Sequence, residues 1–157
     1  MRQAKELRDI KSQKTGVLAD YSRETQVVES LIANPIGLVC VLLSGLDKKL
    51  FQAAKCSDEQ RLIEMGFHLG RASAIIDELR SRLNFVEGGE TAMEMDRYYQ
   101  HLDLLVQIAA TNSDAISEEA IKESREIVGN LKAAWSDLLP EQDQQKLKVM
   151  ATDRKAA

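Results

Sequence analysis

The chain has 157 residues and a net charge of −4, with 44% hydrophobic and 29% charged residues. This length predicts one domain with a hydrophobic core, and the composition is typical of a soluble globular protein. Acidic and basic residues are interspersed, which argues against nucleic acid as a partner. The two cysteines make neither a disulfide framework nor a zinc motif, and the N-terminus lacks the apolar region of a signal peptide. We therefore expect a cytoplasmic protein that holds no metal.

The N-terminal part of the chain, residues 1–34, is predominantly polar and begins with a basic stretch. A small apolar cluster at Val27, Val28, Leu31 and Ile32 interrupts this pattern. A segment with so little apolar surface buries too little to order itself. We predict a flexible N-terminal arm over residues 1–34 with one marginal helix.

The most informative stretch begins at Asn34 and Pro35, because asparagine is a good N-cap and proline suits the first helical position. A helix is predicted from Pro35 to about Lys55. Its core stripe consists of Ile36, Val39, Cys40, Leu43, Leu46 and Leu50. A second apolar stripe on nearly the opposite side consists of Leu38, Val41, Leu42 and the side-chain-free Gly45. A surface helix normally carries one such stripe, and the run is about half the ~20 residues that span a bilayer. The second stripe therefore predicts a polypeptide partner and no membrane insertion.

Three further helices are predicted from apolar residues that recur at spacings of three and four. The second covers residues 59–85, and the glycine pair at 88–89 breaks the chain after it. The third covers residues 90–111 and the fourth residues 115–139, where Pro140 ends it.

The side chains expected to face the core form one stripe on each of these helices. On the second they are Leu62, Met65, Leu69, Ala72, Ile76, Leu79 and Leu83, and on the third Ala92, Met95, Tyr99, Leu102, Val106 and Ala109. On the fourth they are Ile116, Ala120, Ile127, Leu131, Ala134, Trp135 and Leu138. Short turns between long helices make sequential neighbours antiparallel. The predicted fold is therefore all-α, an antiparallel up-down four-helix bundle over residues 35–139, with a polar C-terminal tail over 140–157 that should fray.

Apolar residues also lie outside the core stripes of the second and third helices. They are Ile63, Phe67 and Ile75 on the second, and Met93, Leu104 and Ile108 on the third. With the second stripe of the first helix, they are either outer faces covered by the arm and the tail, or walls of a groove for a helical or extended peptide. Helix periodicity alone does not choose between these interpretations. The small residues Gly66, Gly70 and Ser73 would let a neighbouring helix approach closely.

His68 carries the one catalytic alternative. The run from His68 to Ala72 resembles the histidine phosphotransfer motif, which occurs on four-helix bundles and places lysine three residues and glycine four residues after the histidine. Arg71 stands at the lysine position, but Ala72 stands at the glycine position and falls on the core stripe. We therefore interpret His68 as a histidine at the edge of the core, with phosphotransfer as the alternative function.

The other sequence patterns do not indicate catalytic chemistry. Carboxylate–iron sites of bundles need Glu-x-x-His on two helices, whereas Met65 and Tyr98 stand three residues before His68 and His101. The chain has no Walker loop and no dinucleotide fingerprint. The sequence predicts neither an enzyme nor a bound cofactor.

Several blocks of residues follow one another in a recognisable order. They are Asn34-Pro-Ile, leading to Leu42-Leu-Ser-Gly45 and Leu50-Phe51; Ile75-Ile-Asp-Glu-Leu-Arg-Ser-Arg-Leu-Asn84 with Gly88-Gly89-Glu90 and Ala92; Tyr98-Tyr99 with Leu105 and Ala109-Ala-Thr-Asn112; and Leu131-Lys-Ala-Ala-Trp135. In this order and spacing they resemble the flagellin export chaperone family, known as FliS. Tyr21 with Val27 and Val28 is similar to the N-terminal arm of that family. The resemblance extends from about Tyr21 to Leu139.

The resemblance implies a cytoplasmic chaperone that binds the disordered C-terminal segment of flagellin, blocks its premature polymerisation and delivers it to the export gate. It implies no enzymatic activity and no nucleotide. The client contacts are then expected at Tyr21 of the arm and at the second-stripe residues Leu38, Val41, Leu42, Gly45, Ile63, Phe67, Ile75, Met93, Leu104 and Ile108. We expect the free protein to be a monomer. Where family members read Leu-Tyr-Asp-Gly, this chain has Leu42-Leu-Ser-Gly45.

Overall fold

The computed structural model describes residues 25–111 and 114–156, with side chains described up to residue 150. Within these ranges the protein has six helices and no strands. Helix α1 includes residues 25–32, and the others are α2 (Pro35–Asp58), α3 (Leu62–Ser81), α4 (Phe85–Thr111), α5 (Ala115–Ser136) and α6 (Glu141–Ala156). The prediction of an all-α protein is confirmed.

Side-chain caps set the starts of two helices. At the start of α2 the Asn34 side chain accepts a hydrogen bond from the backbone N–H of Ile36 at 3.0 Å, and Pro35 follows as the first helical residue. Asn84 does the same for α4, because its side chain accepts from the N–H groups of Val86 and Glu87, each at 3.1 Å. Helix α4 therefore begins before the glycine pair, and Gly89 (φ 51°) makes a kink inside it instead of a break before it.

The four long helices α2–α5 pack around one core. Helix α2 contacts α3 and α5, and α4 contacts the same two helices. The largest fully buried side chains of this core are Leu43, Leu46, Leu50, Leu69, Ile76, Leu79, Tyr99, Leu102, Ile121 and Val128. Polar bonds cross the helix boundaries outside the core: Arg80 pairs with Asp96 at 2.8 Å, and Lys132 pairs with Asp47 at 3.1 Å.

Helix α5 buries part of the predicted face, because Ala120 is buried and Ile127, Leu131 and Trp135 pack against the core, but the buried face also includes residues outside the predicted stripe. Ile116 and Leu138 are exposed, whereas Ile121 and Val128 are buried. Ser117 and Ser124 are buried with them. Their hydroxyls donate to the backbone carbonyls of Ala109 at 2.6 Å and Ala120 at 2.7 Å, so neither is left unsatisfied. Leu62 is also exposed, because it is the first residue of α3.

The helices at the two ends of the described chain pack onto α2 and onto each other. Leu31 of α1 is fully buried, and a Cβ atom at Gly37 of α2 would overlap the Leu31 carbonyl oxygen, so this close approach requires glycine. Residues 141–156, which we expected to fray, form α6. This helix contacts α2, buries Met150, and donates from Lys146 Nζ to Ser30 Oγ at 2.7 Å. In the part of the chain that the structure describes, no helix is both long and apolar enough to cross a membrane.

Tyr99 should make the stability of the protein sensitive to alkaline pH. Its side chain is almost completely buried, and burial raises the pKa of Tyr99 from 10.0 to about 12. The unfolded chain then loses this proton before the folded chain does, so the free energy of unfolding should fall as pH rises from 10 to 12. The expected fall is on the order of 2–3 kcal/mol. Urea unfolding across this range should show a clearly smaller fall for Tyr99→Phe, and equal falls for both proteins would contradict the prediction.

Candidate functional site

An open groove of about 630 Å³ lies between α2 and α3 on the outside of the core. Its lining is mostly apolar or small, with charged side chains at its edges. The lining residues are Leu42 and Lys49 of α2, and Gly66, Phe67, Gly70, Arg71, Ala74, Ile75 and Glu78 of α3. A helical or extended peptide fits a groove of this kind, since its apolar side chains replace water along the two helices.

Phe67 and Ile75 provide most of the apolar surface that α3 brings to the groove. Phe67 is 59% exposed although it is aromatic, whereas Ile75 is half-buried and packs against the core. A Cβ atom at Gly45 of α2 would make ordinary contact with Ile75 Cδ1, at 3.7 Å, so a larger residue than glycine would begin to cover Ile75. The result is an apolar surface that water still reaches.

The outer side of α3 carries only very small side chains over three successive turns. Gly66, Gly70 and Ala74 follow one another at spacings of four, so they lie along the same side of the helix. Apart from the adjacent residues and the backbone of α3 itself, no described atom lies within 4 Å of a Cβ position at Gly66 or Gly70. The close helix contact that we predicted at these glycines is therefore not made by any described helix of the chain. This side of α3 is therefore open to close approach by another polypeptide backbone.

Charged side chains line the edges of the groove. The guanidinium of Arg71 lies over the Phe67 ring, 4.9 Å from the ring centroid. The ammonium of Lys49 donates to Gln52 Oε1 at 3.1 Å. Glu78 accepts from Arg82 at 2.6 Å, so the charge of this carboxylate is already compensated. The groove thus has an excess of positive charge, although the whole chain is negative.

Four of the predicted client-contact residues come together here. Leu42, Phe67 and Ile75 line the groove, and Gly45 lies beside Ile75. The sequence analysis did not assign Arg71, Lys49 or Glu78 to this surface. The helical wheel already indicates two of them, because positions four residues after Phe67 and three residues after Ile75 fall on the same side of α3.

The other predicted contact residues lie elsewhere or outside the described chain. Leu38 and Val41 are half-buried on α2 next to the groove, and Ile63 is exposed near the start of α3. Three lie on α4, which contributes nothing to the groove lining: Met93 and Leu104 are exposed, and Ile108 packs against the core. Tyr21 lies outside the described residues. The role of all these residues stays a prediction.

A second depression, of about 390 Å³, lies between α2 and α5. Its lining is mainly charged, with Asp58, Glu118, Lys122, Arg125 and Glu126 around Ala54, Ser57 and Ile121. Charges of both signs lie close together and compensate one another there. An apolar peptide therefore has less to gain from this surface than from the groove between α2 and α3.

The titratable groups do not assemble into catalytic machinery in the described residues. His68 Nδ1 is buried and has no hydrogen-bond partner among them. Burial first, and then the charge of Lys49, lower the pKa of His68 below 6.5. Burial raises the pKa of the Cys40 thiol, which disfavours the reactive thiolate. Ranges 25–111 and 114–156 contain no group of three or more His, Cys, Asp or Glu residues arranged to hold a metal ion.

His68 should make the fold acid-sensitive. A histidine whose folded-state pKa is lowered favours the neutral folded protein, so its contribution is present above pH 6.5 and is lost as pH falls below that value. His68→Gln replaces this group by one that does not titrate. The variant should lose less stability than the wild type when chemical unfolding is measured from neutral pH down to acid pH. His101→Gln is the matched control, since His101 is exposed. An identical acid loss in His68→Gln and the wild type would show that His68 is not the responsible group.

These features define an all-α protein with an apolar groove on one side of its core. Comparison with known proteins specifies the class further. Residues 18–142 match the family described as "Flagellar protein FliS", so the chain belongs to the FliS family. The resemblance found in the sequence is thereby confirmed.

Two curated relatives show how far the similarity extends. The chain is 28% identical over 127 residues to the flagellar secretion chaperone FliS of Vibrio cholerae, a match that covers 80% of this chain and 90% of the relative. It is 30% identical over 117 residues to the flagellar secretion chaperone FliSB of Pseudomonas aeruginosa, covering 74% of this chain and 88% of the relative. Both matches span most of each protein, so the similarity includes the helices that form the groove.

Proposed function

We propose that the protein is a cytoplasmic flagellar secretion chaperone that binds the disordered C-terminal segment of flagellin in the groove between α2 and α3. Family membership and the names of the two relatives support the chaperone class. The main support for this client site is the apolar surface of Leu42, Phe67 and Ile75. It lies beside the side of α3 that carries only Gly66, Gly70 and Ala74. Covering this segment keeps flagellin from polymerising before export, and the complex delivers flagellin to the export gate.

The energetics suit a disordered client. Each apolar side chain that loses its water on binding contributes about 1.5–3 kcal/mol when it is fully covered. Ordering a disordered segment costs about 2–5 kcal/mol or more. Several apolar contacts are therefore needed, and a long groove provides them where a single pocket does not. The chaperone then holds its client firmly but releases it when the client is pulled into export.

We propose that α2–α5 form an antiparallel up-down bundle over residues 35–139 that acts as a monomer. The connections after α2 and α3 are only a few residues long, which favours antiparallel neighbours. The chaperone needs neither catalysis nor a cofactor, because binding alone hides the client surface.

Titration with a labelled flagellin C-terminal peptide tests the proposal. The protein should bind this peptide with one-to-one stoichiometry, and it should delay polymerisation of full-length flagellin. Flagellin that lacks its C-terminal segment is the control and should not bind. Equal binding of the truncated flagellin would place the client site on another part of flagellin, and failure of both to bind would refute the proposed function.

A further inference from the structure

We propose that Arg71 makes the groove selective for a client helix that places an acidic side chain beside the apolar residue covering Phe67. This inference rests on the proposed function, because it concerns the same groove. It adds the charge pattern of the client and names the residue that recognises it.

The geometry at Arg71 supports the role. The guanidinium lies over the ring of Phe67, 4.9 Å from its centroid, so it is held at the groove surface instead of pointing away from it. A guanidinium held against an aromatic face still presents N–H donors at its edges, in a fork that matches a carboxylate. The ion pairs formed within the described residues do not include Arg71. Its charge is therefore available to an incoming partner.

The neighbouring charges favour an acidic partner. Lys49 lines the same groove from α2. Glu78 lies on α3, as Arg71 does, and its carboxylate is paired with Arg82. An acidic client side chain meets the guanidinium of Arg71 and a carboxylate that is already compensated, whereas a basic side chain at the same place is repelled by Arg71. Because repulsion of the wrong client contributes to specificity as much as attraction of the right one, the groove distinguishes clients of equal hydrophobicity.

Binding itself strengthens this interaction. Exposed ion pairs contribute little, since water screens both charges. A client that covers Phe67 also removes water from the guanidinium above the ring. The attraction between the guanidinium and a carboxylate then increases, because less water screens the two charges. A client without an acidic group leaves that guanidinium desolvated and unpaired, which costs affinity.

A double-mutant cycle tests the inference. The probes are the flagellin C-terminal peptide and a version in which the acidic residues flanking its apolar stripe are replaced by their amides. Arg71→Gln should weaken binding of the native peptide roughly three- to tenfold, whereas binding of the amide peptide should stay equal or become slightly tighter, because the unpaired guanidinium is removed. The difference should shrink in about 1 M salt, where the Debye length is ~3 Å. Arg125→Gln is the matched control, because Arg125 also lies over a phenylalanine, Phe51, on the α5 side of α2.

The outcomes separate the inference from the proposed function. Equal affinities of Arg71→Gln and the wild type for the native peptide would overturn the inference, and so would an equal loss of affinity with both peptides. If Phe67→Asp still abolishes binding in those cases, the groove remains the client site. If wild-type protein does not bind the native peptide, the proposed function fails and the inference with it.

Discussion

Replacing Phe67 by aspartate should weaken binding of the flagellin C-terminal segment about tenfold or more, which corresponds to ~1.4 kcal/mol. The substitution removes the apolar ring that a client would cover and puts in its place a carboxylate, whose water a bound client would have to displace. Fluorescence anisotropy with the labelled peptide measures the loss. The circular dichroism spectrum and the melting temperature should stay near those of the wild type, because the Phe67 side chain is 59% exposed in the folded protein.

Tyr98→Asp is the matched control for this prediction. Tyr98 is an aromatic residue of α4 that is 53% exposed, similar to Phe67, but it does not line the groove. Its replacement should change the affinity little. If Tyr98→Asp weakens binding as much as Phe67→Asp, the client site is not confined to the groove between α2 and α3. Unchanged affinity of Phe67→Asp would remove the groove from the client site altogether.

Val41→Asp extends the same test to α2. Val41 is half-buried and does not pack against the core cluster, whereas its neighbour Leu42 does. The free protein should therefore tolerate a charge at Val41, whereas a client that extends past Leu42 should not. Weaker binding with an unchanged melting temperature would add Val41 to the client surface, and unfolding of the variant would instead place Val41 in the core.

Local signals were sufficient to predict most of the fold. Asn34 and Pro35 define the start of α2 because capping depends only on residues that are adjacent in sequence. The positive φ of Gly89 was expected for the same kind of reason, but the start of α4 was not. Asn84 caps the helix before the glycines, and a kink at Gly89 costs less than losing the helical turn that precedes it.

The groove was predictable only in part, because periodicity gives the faces of single helices and not which helices adjoin. Leu42, Phe67 and Ile75 were expected to be outside the core, and the packing of α2 against α3 brings them together. Met93 and Leu104 were also expected to be apolar residues outside the core, yet they are exposed on α4, which does not line the groove. Arg71 was singled out for a possible role beside His68, and only its position over Phe67 indicates a role toward a client.

The face of α5 was predicted only in part, for a different reason. The predicted stripe consisted of apolar residues and did not include Ser117 or Ser124, yet both serines are buried and Ile116 of that stripe is 59% exposed. A serine enters a helical core at little cost when its hydroxyl donates to a backbone carbonyl, as both do here. The buried face of α5 therefore includes Ser117 and Ser124 together with Ile121 and Val128.

Val128→Asp should strongly destabilise the protein through α5. Val128 has no exposed surface and belongs to the core cluster, so the variant would bury a carboxylate without a partner. We expect a loss on the order of 4–5 kcal/mol, which is most of the 5–15 kcal/mol typical of a folded domain. Urea unfolding measures it, with Ile116→Asp as the control: the same substitution on the same helix should cost less than about 1 kcal/mol there. Ile116 belongs to the predicted stripe and Val128 does not, so a stable Val128→Asp together with an unfolded Ile116→Asp would contradict the burial that the structure shows for α5.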